Sequence, residues 1–492
     1  MISALLTMVI SVPPPAPLAP LPSTRQLAWQ DLEFTAFIHF GPNTFTDKEW
    51  GQGDEPATVF NPTALDAKQW VRVMKEAGIK GVVITAKHHD GFCLWPTAFS
   101  THSVKASAWK DGHGDVLREL SDACRDGGLR FGVYLSPWDR NNPQYGTGEA
   151  YNTIFRSQLR EVLSSYGPIF EVWFDGACGE GPNGKRQVYD FPSFRAVVRE
   201  LQPDAVIFSD VGPDIRWVGN EQGWAGDTCW AMLKVAGHGI GHDNPPSTKS
   251  LNEGDEDGES WIPAECDVSI RPGWFYHAHE DDQVKTPAQL FDLWERSVGH
   301  NANFLLNFPV DRRGLIHDQD VQSVLGLRAL IDATYGSGTD QARGRPTAAD
   351  SIRGFEPRSA AEELRPEPFG PDKAVDGNPA TFWATNDGTT AASIEIELDP
   401  SKEFDRVVLA EPIALGQRVK RFRISVPATP SNNHRDWITL AEGTTIGHKR
   451  IVRVPTTKAR HLRIEILQSR ACPCLSSVSV HSTRDASLQP AR

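Results

Sequence analysis

In the first two thirds of the chain, short unbroken apolar runs alternate with stretches in which apolar residues recur every three or four positions. An unbroken apolar run predicts a strand that is buried on both faces, whereas the longer period predicts an amphipathic helix. The helix predicted at residues 66–77, for example, ends at Gly78. The predicted strands cover residues 34–40, 81–86, 129–135, 170–174 and 205–208, and further helices are predicted at 116–125, 151–165 and 194–201.

This alternation predicts parallel strands that are connected by crossover helices. Five such units between residues 34 and 208 favour an α/β fold of the (β/α)8 TIM-barrel type over a short open sheet. Residues 267–270 and 304–308 are plausible later strands. The polar, Gly-rich residues 236–260 predict a long loop at the barrel mouth, so we expect an irregular second half with fewer helices.

The pattern changes after residue 336. Residues 336–349 are rich in Gly, Ser and polar residues and predict a linker. Beyond them, short and often alternating strands bounded by turns predict an antiparallel β-sandwich. The predicted domains are therefore a leader at 1–24, a barrel at 25–340 and a sandwich at 345–485, whose strands are predicted at 393–398, 404–409, 421–426, 449–454 and 461–466.

The net charge limits the kinds of partner that the protein is expected to bind, and the first residues of the chain indicate where in or outside the cell it is expected. The formal net charge is −13, and no basic patch stands out, which excludes nucleic acid and anionic membranes as expected partners. The first ten residues are apolar but too few to span a bilayer, and a Pro-rich run follows them at 13–22. This pattern predicts a shortened secretion signal with a leader, and hence a periplasmic or secreted protein.

Polar residues stand at the ends of successive predicted strands. They include His39, the pair His88 and His89, Tyr134 and Asp175. Because the carboxyl ends of barrel strands meet at one face, these side chains are expected to converge on one pocket. Asp175 ends an apolar run, and Glu221 follows a second one, and two placed carboxylates on a barrel indicate glycoside hydrolysis.

Two other classes of protein fit part of this pattern. The histidines could belong to a metal-dependent hydrolase, although neighbouring His88 and His89 point apart on a strand and the His277-x-His279 pair lies late in the chain. The chain could also be a non-catalytic carbohydrate-binding protein, because its 15 Trp residues offer faces for sugar rings. The two intact carboxylates argue against that alternative.

Two short motifs are especially specific, namely residues 87–92, Lys-His-His-Asp-Gly-Phe, and residues 172–176, Val-Trp-Phe-Asp-Gly. With other motifs between residues 30 and 310, they resemble the α-L-fucosidases of glycoside hydrolase family 29. Residues 37–41, 49–50 and 133–136 also match.

The resemblance implies a retaining mechanism without a cofactor, through a fucosyl-enzyme intermediate with Asp175 as nucleophile. Residues 216–221 and 270–277 resemble the branch selective for α-1,3- and α-1,4-linked fucose, and that branch implies Glu221 as acid/base. The implied substrate is a fucosylated oligosaccharide or glycan. The implied binding residues are His39, Glu49, Trp50, His88, His89, Tyr134 and Trp173, with Arg271 and Trp274 at the mouth.

The C-terminal module resembles a discoidin-type, galactose-binding-like sandwich at residues 374–383. In many modules of this type a loop at this place holds a structural calcium ion through oxygen ligands. Asp376 and Thr381 are the residues expected to contribute to such a site here.

Overall fold

The structure is a computed structural model that describes residues 12–355, 367–429 and 436–483. It divides into two compact units. One spans Pro22–Gly336, and the other comprises the described residues of Ser337–Thr483 together with residues 12–21.

The first unit contains eight parallel strands, which confirms the predicted TIM-like barrel. Their order in the sheet is β5-β4-β3-β2-β1-β10-β9-β6, and one parallel bridge between Phe208 and Ile215 brings its two edges together. Nearly every position of the longer strands is buried, as expected for strands covered on both faces. The strands are β1 (Phe34–His39), β2 (Gly81–Lys87), β3 (Arg130–Leu135), β4 (Ile169–Trp173), β5 (Val206–Phe208), β6 (Arg216–Trp217), β9 (Ala264–Ser269) and β10 (Asn303–Pro309), while β7 (Met232–Leu233) and β8 (Ser260–Trp261) form a separate hairpin.

The helices follow the strands closely in the first half and less closely in the second, as predicted. No helix separates β5 from β6. The predicted loop at 236–260 contains a six-residue helix. Ser247 caps the N-terminus of this helix, because its side chain accepts a hydrogen bond from the Ser250 N–H. The helices are α1 (Thr24–Gln30), α2 (Pro42–Thr46), α3 (Ala67–Glu76), α4 (Val116–Gly127), α5 (Glu149–Ser165), α6 (Phe191–Leu201), α7 (Thr248–Glu253), α8 (Pro287–Ser297) and α9 (Asp318–Tyr335).

The second unit is built from antiparallel sheets, as the alternating pattern predicted. A five-stranded sheet has the order β11-β13-β18-β15-β16, and a three-stranded sheet has the order β17-β14-β20. The first of these strands lies within residues 336–349, so the predicted linker is shorter than expected. The strands are β11 (Thr347–Ala349), β12 (Trp383–Ala384), β13 (Ala392–Glu397), β14 (Phe404–Ala410), β15 (Val419–Pro427), β16 (Trp437–Gly443), β17 (Arg450–Thr457), β18 (His461–Ser469), β19 (Cys474–Leu475) and β20 (Ser477–His481).

Part of the predicted leader is packed into this second unit. The Leu18 N–H donates to the Leu415 carbonyl at 2.9 Å, and the buried Arg418 guanidinium donates to the Ala16 carbonyl at 2.6 Å. The Pro-rich segment is thus folded, whereas the apolar residues of the predicted signal lie outside the described residues. Within the described parts of the chain, no helix is both long and apolar enough to cross a membrane.

Candidate active site

Asp175 lies two residues beyond β4, at the carboxyl end of the barrel strands. Its Oδ2 accepts a hydrogen bond from the Tyr134 hydroxyl at 2.8 Å, and its Oδ1 accepts one from the Ala177 N–H at 2.7 Å. The side chain is 25 % exposed, so the carboxylate is fixed by two donors but still reachable. The turn after it requires glycine, because a Cβ on Gly176 would lie 2.7 Å from the Gly241 Cα.

Glu221 lies four residues beyond the two-residue strand β6, on an exposed loop. The indole Nε1 of Trp274 donates to its Oε2 at 3.2 Å. Desolvation raises the pKa of the Glu221 carboxyl group, and the negative charges of Asp175 and Glu49 raise it further, against a smaller lowering by the Trp274 bond. The structure therefore favours a protonated Glu221 more than the same residue in water.

The hydrogen-bond partners of His39 and His89 determine which ring nitrogen of each carries the proton. Asn307 donates through its Nδ2 to Ser269 and to a backbone carbonyl, so its Oδ1 accepts from His39 Nδ1 at 2.8 Å. Ser136 donates to the Trp138 carbonyl, so its oxygen accepts from His89 Nδ1 at 2.8 Å. Both neutral rings thus carry their proton on Nδ1 and keep a lone pair on Nε2.

These imidazoles are held neutral. Burial lowers the pKa of His39 to about 3, and it lowers the pKa of His88 well below the usual range. Burial also lowers the pKa of His89, although the charge of Asp175, whose Oδ2 is 3.8 Å from His89 Nε2, acts in the opposite direction. Three neutral rings lie close together, with 4.0 Å between the ring centroids of His88 and His89.

Glu49 holds the loop that carries Trp274. Its two carboxylate oxygens accept hydrogen bonds from the backbone N–H groups of Trp274 at 2.8 Å and Phe275 at 3.0 Å. His277 Nε2 is a further partner at 2.8 Å. The residue that the motif implied as a fucose ligand is thus also a clamp on the segment after β9.

The aromatic residues form two groups. Trp50 is 53 % exposed and meets the rings of His89 and Trp138 edge to face at 5.5 and 5.6 Å. Trp173 is buried, stacks on Phe208 at 3.8 Å and donates through Nε1 to Glu265 at 3.0 Å. The first group offers an open face to a ligand, and the second forms the floor of the barrel mouth.

The structure gives no support to the expected mouth position of Arg271. Its side chain is completely buried, its Nε bonds Asp320 at 3.0 Å, and its Nη1 bonds Asp281 at 2.8 Å. A guanidinium committed to two carboxylates is typical of a structural ion pair. The motif found the residue but could not show that its side chain turns away from solvent.

One acidic group at the site was not singled out from the sequence. Asp267 lies on β9, is buried, and accepts a hydrogen bond from Trp217 Nε1 at 3.0 Å. Burial raises its pKa well above the usual range, and the charges of Glu221 and Asp175 add to this. The sequence predicts a strand at residues 267–270, but only the fold shows which of its side chains faces the carboxylates.

Asp47, His277 and His279 could provide nitrogen and oxygen ligands, all within 4.8 Å of one another. Both nitrogens of His277 are, however, already hydrogen-bonded to carboxylates. In this structure Asp47, His277 and Glu49 form an ion-pair network. In the second unit, Asp376 accepts hydrogen bonds from the Thr381 hydroxyl and the Asn378 N–H, each at 2.8 Å, so its loop is closed by internal bonds.

Comparison with known proteins decides the family. The alpha-L-fucosidase family model matches residues 52–332, and the F5/8 type C domain model matches residues 358–477. The chain belongs to the alpha-L-fucosidase family and is a glycoside hydrolase. Alpha-L-fucosidase 1 of Arabidopsis thaliana is 41% identical over 470 residues, which cover 95% of this chain and 89% of that protein.

Solved structures of the family are similar over nearly the whole chain. SpGH29 has a TM-score of 0.86 at 38% identity, with 96% of this chain and 99% of that chain covered. A GH29 fucosidase of Ruminococcus gnavus in complex with fucose has a TM-score of 0.86 at 33% identity, with 97% and 98% covered. These matches confirm the predicted hydrolase and both of its predicted fold types.

Proposed function

We propose that this hydrolase is a retaining exo-α-L-fucosidase with Asp175 as nucleophile and Glu221 as acid/base. The observation that carries the proposal is the contrast between the two carboxyl groups. Asp175 is held in place by hydrogen bonds to both of its carboxylate oxygens, as a nucleophile that must meet one carbon atom requires. Glu221 has a raised pKa, as a proton donor requires.

In the first step, a carboxylate oxygen of Asp175 attacks the anomeric carbon of fucose as the glycosidic C–O bond breaks. The proton of Glu221 passes to the departing oxygen, which leaves as the hydroxyl of the acceptor sugar. In the second step, ionised Glu221 takes a proton from water, the water oxygen attacks the same carbon, and Asp175 is released. Two displacements restore both groups and retain the anomeric configuration.

The neutral histidines would bind fucose hydroxyl groups as acceptors. The Nε2 lone pairs of His39 and His89 can each accept a hydrogen bond from a hydroxyl without introducing charge. Trp50 offers an exposed aromatic face for the C–H groups of the sugar. Fucose bound in the related Ruminococcus gnavus structure supports a fucose pocket in this chain.

We further propose that the preferred linkages are α-1,3 and α-1,4, on the strength of the motifs at residues 216–221 and 270–277. The test is fucose release from a Lewis-type trisaccharide and from 2′-fucosyllactose under identical conditions. Release from the trisaccharide alone is expected. Equal release from the α-1,2-linked 2′-fucosyllactose would overturn the linkage while leaving the fucosidase in place.

We also propose that the protein is exported, because its first ten residues form a short apolar segment of the kind found in secretion signals. Sequencing of the N-terminus of protein recovered from periplasm or medium tests this. We expect cleavage before Pro13, since the segment after it is hydrogen-bonded into the second unit. Uncleaved protein retained in the cytosol would contradict the proposal.

A further inference from the structure

His277 joins two carboxylates beside the site, although no part of the proposed chemistry uses it. The side chain is 7 % exposed. Its Nδ1 lies 2.8 Å from Asp47 Oδ1, and its Nε2 lies 2.8 Å from Glu49 Oε1. A carboxylate can only accept, and a neutral imidazole has a single N–H, so both bonds form together only when the ring is an imidazolium.

The charges around this ring favour the imidazolium. Burial alone would lower the pKa of His277, but the bonds to Asp47 and Glu49 and the nearby charge of Glu280 raise it overall. The same contact lowers the pKa of Asp47. Arg312 also lowers the pKa of Asp47, and the ring centroid of His279 lies 5.4 Å from that of His277.

From His277 the contacts continue to the carboxyl group of Glu221. Glu49 receives the N–H groups of Trp274 and Phe275, and the loop packs so tightly that a Cβ on Gly273 would lie 2.6 Å from Glu49 Oε1. Trp274 then donates its indole N–H to Glu221. Each link is a hydrogen bond of 2.8 to 3.2 Å.

We propose that His277 is a positioning residue for the general acid. As a doubly hydrogen-bonded cation it fixes Glu49, Glu49 fixes the backbone of Trp274, and the indole of Trp274 fixes the carboxyl group of Glu221. The inference rests on the proposed role of Glu221. It predicts that loss of His277 impairs protonation of the leaving group more than attack by Asp175.

The test compares His277→Phe with wild type on two aryl α-L-fucosides, using kcat/KM, which reports the steps up to the covalent intermediate. Phenyl fucoside needs a proton on its leaving oxygen, whereas 2,4-dinitrophenyl fucoside does not. General acid catalysis contributes about 10²–10⁴-fold, and a misplaced acid retains part of it. We therefore expect the loss on the phenyl substrate to be about 10–100-fold larger than the loss on the dinitrophenyl substrate, which reports any change in fucose binding through Glu49.

The dinitrophenyl substrate also reports folding, since a misfolded variant loses activity on both substrates. His279→Ala is the matched control, because it removes a neighbouring ring that donates to neither carboxylate in this network. His277→Gln, which can donate to only one of the two carboxylates, should fall between wild type and His277→Phe. Equal losses on both substrates, or no loss on either, would overturn the positioning role.

Glu221→Ala in the same assay separates this inference from the proposed function. A strong dependence on the leaving group in Glu221→Ala, with none in His277→Phe, would overturn the inference alone. Absence of that dependence in Glu221→Ala itself would show that Glu221 is not the acid, and the proposed function would then fail first.

Discussion

The two sides of the barrel mouth hold their functional groups in different ways. On one side, β1 to β4 are regular buried strands of five to seven residues, and Asp175 follows the last of them, bonded to Tyr134 from its neighbour. On the other side, β6 has two residues, and Glu221 lies on an exposed loop held by one indole N–H.

The difference corresponds to what each group must do. A nucleophile must meet one carbon of one bound sugar, so a rigid strand end suits it. A general acid must reach a leaving oxygen whose acceptor lies outside the fucose pocket, so a position on a loop suits it. We therefore expect changes near Asp175 to affect every substrate and changes near Glu221 to affect substrates selectively.

The largest effect should come from Asp175→Ala. Without a nucleophile the covalent step cannot occur, so we expect turnover to fall by at least about 10³-fold on every substrate while fucose still binds. Steady-state rates and fucose titration by calorimetry measure the two properties. Asp210→Asn is the control variant, because it changes a nearby carboxylate. That carboxylate accepts a hydrogen bond from the Gly241 N–H at 2.7 Å. Substantial residual turnover would remove Asp175 from its role.

Glu221→Ala should come next, with a loss of about 10²–10⁴-fold on substrates with poor leaving groups. On an activated aryl fucoside, added azide should restore turnover by attacking the covalent intermediate. If azide has no effect, another acid must act. Asp214 is a poor replacement, since it is buried in ion pairs with Arg25 and Arg199, and Asp227 is 92 % exposed.

Tyr134→Phe tests the rigid side more gently. It removes a 2.8 Å donor to the Asp175 carboxylate but leaves the Ala177 N–H in place. Hydrogen bonds to charged groups contribute about 1.5–3 kcal/mol, so we expect roughly a 10–100-fold fall in kcat/KM on all aryl substrates alike. A fall confined to poor leaving groups would contradict the division between the two sides.

Trp274→Phe should reproduce the selective loss expected of His277→Phe, about 10–100-fold larger on phenyl fucoside than on dinitrophenyl fucoside, and should also move the pH profile. The indole N–H stabilises the ionised form of Glu221 and so lowers its pKa. Without this bond the pKa of Glu221 rises, the acid stays protonated to higher pH, and the alkaline limb of kcat/KM should move to higher pH. A shift to lower pH would show that the indole holds the protonated form instead.

The smallest effect is expected from metal removal. The proposed roles of Asp175 and Glu221 require no metal ion, so EDTA should leave turnover unchanged. For the second unit we propose a structural calcium at Asp376 and Thr381, in which case calcium raises the melting temperature by binding only the folded state. Asp376→Asn should abolish that rise. A calcium-independent melting temperature in wild type would remove the site.

The sequence predicted the rigid side of the mouth better than the other side. A short apolar run with His, Tyr or Asp at or just beyond its end can be recognised from neighbouring residues alone. The predicted fold class depends on several runs of this kind. The contacts of Glu49 are not local, since His277 lies 228 positions away. Arg271 shows the same limit, because its buried bonds to Asp320 depend on a helix far along the chain that periodicity did not reveal.

The Pro-rich segment has a consequence for how the protein is made. Ala16 leaves the ribosome early, but its partner Arg418 is encoded 402 residues later. At synthesis rates of about 5–20 residues per second, the segment waits roughly 20–80 s before its docking surface exists. A C-terminal fragment expressed alone would never receive it, so such a fragment should leave the Arg418 guanidinium without the hydrogen bond to the Ala16 carbonyl.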